Sequence, residues 1–131
     1  MTTDQAIAVD SRLAAAALEC AGDAVIAVDL HGTITLWNRM ATELFGFTAD
    51  QAIGQSVEII VPENLREAHW RGFDAAMKSG HLASDGKARR TKGITAGGGK
   101  VYITMTFAVM KDDAGETIGS VAVAREYVKE S

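Results

Sequence analysis

The hydrophobic pattern changes period several times along the chain, and each change marks an element. From Asp4 to Cys20 apolar residues fall on one side of a 3.6-residue period, with Ile7, Leu13, Ala14, Ala17 and Leu18 on that face, predicting an alanine-rich helix that Gly22 ends. Two β-prone runs follow, Ala24–Asp29 and Thr33–Trp37, joined by Leu30-His31-Gly32 in a hairpin pattern. Asn38 fits a helix N-cap before Arg39–Phe45, which Gly46 stops. Thr48-Ala49-Asp50-Gln51 has the spacing of a capping box for one more turn, ended by Gly54.

A longer helix is predicted from Pro62 to about Ser79, stopped by Gly80. Its apolar stripe runs Leu65, His69, Phe73 and Met77 at i, i+4 spacing, with Glu63, Arg66, Glu67, Arg71 and Asp74 mostly off it. An imidazole on an apolar stripe is either a polar group with a hydrogen-bond partner in the core or a ligand for whatever fills a cavity there. Leu82–Thr95 is polar and reads only weakly as a strand. Lys100–Lys111 alternates cleanly, with Val101, Ile103, Met105, Phe107 and Val109 on one face. Asp112–Gly115 is a turn, and Thr117–Ala124 reads as the last strand.

Composition narrows the function classes. The chain has 131 residues, 47% hydrophobic and 23% charged, which suits one soluble domain. Its net charge of -4 and pI near 5.3 supply no basic surface for phosphates, so a nucleic-acid partner is not expected. Glu19, Asp23 and Asp29 interrupt the longest apolar stretch and the first residues are not basic. No membrane partner is expected, and the predicted location is cytoplasmic. Cys20 is the only cysteine, which excludes an internal disulfide and a cysteine cluster.

The remaining motifs exclude more than they support. His31 and His81 are expected at exposed positions, not spaced to share a metal with His69. The run Gly93–Lys100 is one residue off a phosphate loop, has no Ser or Thr after its lysine, and precedes a strand. No Ser/His/Asp or paired-carboxylate arrangement stands at recognisable spacing, so an enzyme is not expected.

The element order, with Gly32-Thr33-Ile34-Thr35-Leu36-Trp37-Asn38, Phe45-Gly46-Phe47-Thr48, Ile53-Gly54 and Gly119–Glu126, resembles a PAS domain across residues 20–127. The resemblance implies an α+β fold: a five-stranded antiparallel sheet with helices on one face around a cavity, and an N-terminal capping helix. Residues 1–21 are then a capping or dimerisation helix and residues 22–128 the PAS domain. The flavin photosensors of this family use a cysteine in a helix around the cavity, whereas Cys20 precedes the first strand.

Within the family, Pro62–His69 looks like the segment of haem-binding PAS oxygen sensors whose histidine is the proximal iron ligand. Counting on without a gap, Arg89 falls where those sensors carry an arginine that swings toward iron-bound oxygen. Met105 and Phe107 fall where they place apolar residues over the distal face. Ser84, Asp85 and Lys87 depart from the apolar residues or methionine ligand often found in their segment. The resemblance therefore implies a sensory module binding haem b, with His69 as metal ligand and Leu65, Phe73, Arg89, Met105 and Phe107 around the cofactor. It also implies a diatomic gas or small molecule as ligand, a homodimer, and an output domain or partner such as a kinase or regulator. Two other classes stay open: a cofactor-free module binding a small metabolite or mediating dimerisation, and a haem enzyme of peroxidase type.

Overall fold

A computed structural model describes residues 10–82 and 87–127. Five strands form one antiparallel sheet: β1 (Ala24–Val28), β2 (Ile34–Trp37), β3 (Arg89–Ile94), β4 (Lys100–Lys111) and β5 (Thr117–Glu126), in the order β2-β1-β5-β4-β3. The first hairpin thus lies beside the last strand, and β3 is an edge. Four helices accompany them: α1 (Ser11–Cys20), α2 (Arg39–Phe45), α3 (Ala49–Ala52) and α4 (Arg66–Ser79).

The register decides which side chains share a face. Directly opposed residues point the same way, so Ile26, Ala122 and Phe107 form one row, and Ala24, Ala124, Met105 and Arg89 the next. This face carries the core, where Ile26, Val28 and Met105 join Ala41, Phe45, Ala52, Val57 and Ile60 from the segments between β2 and α4. Phe45 of α2 reaches across to β3, where a Cβ on Gly93 would stand 2.6 Å from its ring. Trp37 contributes a polar handle as well as area: its indole N–H lies 3.0 Å from both the Thr42 hydroxyl and the Phe47 carbonyl.

Local chemistry sets the helix ends. Asn38 caps α2 by accepting the Ala41 N–H, and Gly46 closes it at φ 85°; Thr48 and Gln51 form the reciprocal capping box of α3. Asn38 does more than cap. Its buried carboxamide also accepts the Val25 N–H and donates to the Leu18 and Asp23 carbonyls, tying α1, β1 and α2 together. The Glu19 carboxylate accepts the Arg39 N–H, so α1 is held at its C-terminal end while burying none of its own residues.

Four boundaries differ from the sequence pattern by two residues or more. Asp10 caps α1 by accepting the Leu13 N–H, so this helix begins at Ser11 rather than Asp4; residues 1–9, including Ile7, lie outside the described residues. Pro62 opens a 3-10 turn at Glu63–Leu65, and the α-helix starts at Arg66. Within Leu82–Thr95 the strand is Arg89–Ile94, with residues 83–86 outside the described part. β5 runs two residues beyond Ala124, where Arg125 bonds the Asp23 carboxylate at 2.9–3.0 Å.

Candidate ligand cavity

A cavity of about 430 Å³ lies between α4 and the core face of the sheet. α4 supplies one wall, because a 3.6-residue period brings Ala68, His69, Gly72, Phe73, Ala76 and Met77 to one side, with Leu65 at the preceding 3-10 turn. The sheet supplies the other through Ile26, Val28, Ile103, Met105, Phe107 and Ala122. Arg89, Arg90, Thr91 and Lys92 of β3 border it. The volume falls within the range typical of small-molecule sites.

The six residues singled out from sequence, Leu65, His69, Phe73, Arg89, Met105 and Phe107, all line this cavity. Arg89 stands opposite Met105 and so shares its face. Arg90 stands opposite Thr104 on the other face, with its guanidinium carbon 4.8 Å above the Tyr127 ring. Arg89 is exposed and makes no ion pair among the described residues. Ser84 and Asp85 lie outside the described residues, while Lys87 is exposed. His31 and His81 are both exposed, as their positions predicted.

His69 is the site's most unusual group. Its ring stands edge-on to Trp70, centroids 4.7 Å apart, and nearly parallel to Phe73 at 6.2 Å. Nδ1 is buried and has no hydrogen-bond partner among the described residues. The sequence left open a histidine bonded to a backbone carbonyl; Nδ1 makes no such bond. Burial pushes the imidazole pKa below its ordinary 6.5, with the Glu58 and Asp74 carboxylates pulling the other way, so the ring is neutral near pH 7. Glu58 is itself engaged: it accepts the Trp70 indole N–H at 2.7 Å, and Trp70 packs over Gly32 in the β1–β2 turn. Among the described residues no group of three or more His, Cys, Asp or Glu could hold a metal ion.

Comparison with known proteins fits this architecture. The family described as the PAS fold matches residues 12–126. The chain belongs to the PAS family. The PAS domain of a protein from Colwellia psychrerythraea superposes with a TM-score of 0.76 at 21% identity, over 88% of this chain and 95% of that one. The PAS domain of the Cronobacter turicensis RpfR quorum-sensing receptor, in complex with C12:0, gives 0.63 at 17% identity, over 82% and 96%. The sensor protein FixL of Bradyrhizobium diazoefficiens is 47% identical over 47 residues, which are 36% of this chain and 9% of that protein.

Sequence reasoning missed part of this PAS cavity. Ile26 and Val28 sit in a strand whose five residues are all buried, so no alternation marks an inner face. Ser120 and Ala122 carry an alternation whose inward side is known only once β5 is paired with β1 and β4. Gly72 lay on the helical stripe, three residues after His69, but a glycine carries no hydrophobic signal.

Proposed function

We propose that this PAS domain is a sensory module that holds haem b in its cavity, with His69 as the iron ligand, and responds to a diatomic gas. One observation carries the reading: a neutral imidazole, with a buried ring nitrogen that lacks a partner among the described residues, on the wall of a mostly apolar cavity. A buried polar atom left unpaired is costly, and a bound group gives the ring a use that the protein alone does not. Neutral imidazole is also the form that ligates a metal.

The other groups suit the same occupant. Leu65 and Phe73 flank His69 with carbon, and Met105 and Phe107 face the cavity from the sheet. Haem supplies an iron centre with a position open to a gas. Arg89 offers fixed positive charge and several donors at the cavity's border, where they favour a ligand that gains negative charge on binding. The similarity to a sensor protein supports sensing rather than catalysis.

The exposed face of α1 carries the signalling part of this reading. Leu13 is 60% exposed on α1, and this face supports a homodimer. The output lies in a further domain or a cytoplasmic partner such as a kinase or regulator. A chain lacking residues 1–19 should then sediment differently from the full chain, and an unchanged dimer rules out that role for α1.

A second reading is a cofactor-free PAS module for a small metabolite. The apolar cavity bordered by Arg89 suits it, as does the likeness in fold to a PAS domain bound to C12:0. The visible spectrum after haemin reconstitution separates the two. A Soret band at one haem per chain supports the first reading, and its absence supports the second.

A further inference from the structure

α4 contains a mid-helix glycine, exposed and at the border of the cavity, that no contact with another part of the protein explains. Gly72 does not have positive φ, so no turn requires it, and a Cβ built there meets no protein atom within 4 Å. At Gly32 and Gly93, by contrast, close packing accounts for the missing side chain: Gly32 lies against the Trp70 ring and Gly93 against Phe45. Glycine inside a helix is unfavourable relative to alanine. The same helix uses alanine at positions 75 and 76, so a small side chain alone is not what position 72 demands.

Gly72 lies on the stripe that lines the cavity, one turn beyond His69. There the wall is cut back to the main chain, beside the imidazole whose Nδ1 has no partner among the described residues. We infer that Gly72 is a specificity-determining contact: the cavity's ligand, a broad and mostly apolar molecule, lies against the α4 backbone at this point. The absent side chain sets how wide that ligand can be next to His69. The inference rests on the haem reading only for the identity of that molecule.

The test is a size series, Gly72→Ala and Gly72→Leu, with Ala75→Leu as control because Ala75 is exposed on α4 like Gly72 but does not line the cavity. Thermal melting of the ligand-free proteins and haemin titration followed by absorbance are the two readouts. Both Gly72 variants should melt above the wild type, since each replaces glycine with a better helix former. The haemin dissociation constant should rise with side-chain size, by about tenfold or more for Gly72→Leu, and stay unchanged in Ala75→Leu. A Gly72→Leu protein that melts higher and binds haemin as the wild type does overturns the inference.

If the wild type takes up no haemin, the haem reading fails alone, and the series is read with the apolar fluorophore 8-anilinonaphthalene-1-sulfonate. Weaker binding of that probe by native Gly72→Leu supports the contact. Equal binding, or a wild-type cavity that takes neither probe, overturns it.

Discussion

Replacing His69 with phenylalanine should make the ligand-free protein more stable, against the usual direction of a substitution at a packed site. The variant removes Nδ1, a buried atom with no hydrogen-bond partner among the described residues. Leaving such a group unsatisfied costs about 1–3 kcal/mol. A phenyl ring can keep the edge-on contact with Trp70, now at 4.7 Å between centroids, and the parallel one with Phe73. Its extra volume has room in a cavity of about 430 Å³, so overpacking is not forced. The net gain is therefore about 1–3 kcal/mol, which for a domain of this size raises Tm by roughly 3–9 °C. Melting followed by circular dichroism at pH 7.5, on protein freed of ligand, reads it directly. An unchanged or lower Tm would refute the reasoning, because it would mean that the ring is already satisfied in solution and that His69 serves the fold.

The same group sets a pH dependence. Burial lowers the folded-state pKa of His69 below 6.5, so between the two values the unfolded chain binds more protons, and stability falls as pH drops through that window. Urea unfolding from pH 7.5 to 5.5 should show a steeper loss in the ligand-free wild type than in His69→Phe; parallel curves contradict this. Asn38→Ala strips two donated and two accepted hydrogen bonds from a buried junction and should cost about 2–4 kcal/mol, seen as a lower urea midpoint. A midpoint equal to the wild type would show that α1 and β1 do not depend on that carboxamide. In the haem-loaded protein Arg89→Ala should speed oxygen release and leave carbon monoxide affinity little altered, because carbon monoxide gains less charge on binding. Equal effects on both gases indicate a steric role. Arg90→Ala, whose guanidinium lies over Tyr127, should change neither.

How far the chain could be read depended on whether the deciding interaction was local. Asn38, Thr48 with Gln51, Gly46 and Gly80 act within a few residues of themselves, and all four helix-end assignments stand in the structure. β4 was legible because its first half alternates, with Val101, Ile103 and Met105 buried and Lys100 and Tyr102 exposed, which leaves a period of two. β3 was not, since Arg89, Arg90 and Lys92 are exposed and the strand exists through its pairing with β4. The 3-10 turns at Val57–Ile60 and Glu63–Leu65 are too short to impose any period. The cavity was half legible for the same reason. Its helical wall follows from the spacing of Leu65, His69, Phe73 and Met77, whereas its sheet wall depends on strand pairing between distant parts of the chain, as when Ile26 meets Ala122. The isolation of His69 Nδ1 is a three-dimensional fact with no trace in the sequence.

The central claim is that His69 binds the iron of a haem held in this cavity, and the most direct measurement is a paired haemin titration of the wild type and His69→Ala. Absorbance should be followed through the Soret region, with circular dichroism confirming that both proteins are folded. The account predicts a saturable Soret band at one haem per chain in the wild type, and loss of stoichiometric haem retention in a variant that keeps its fold. A folded His69→Ala protein that takes up haem at the same stoichiometry with an unchanged spectrum would contradict it.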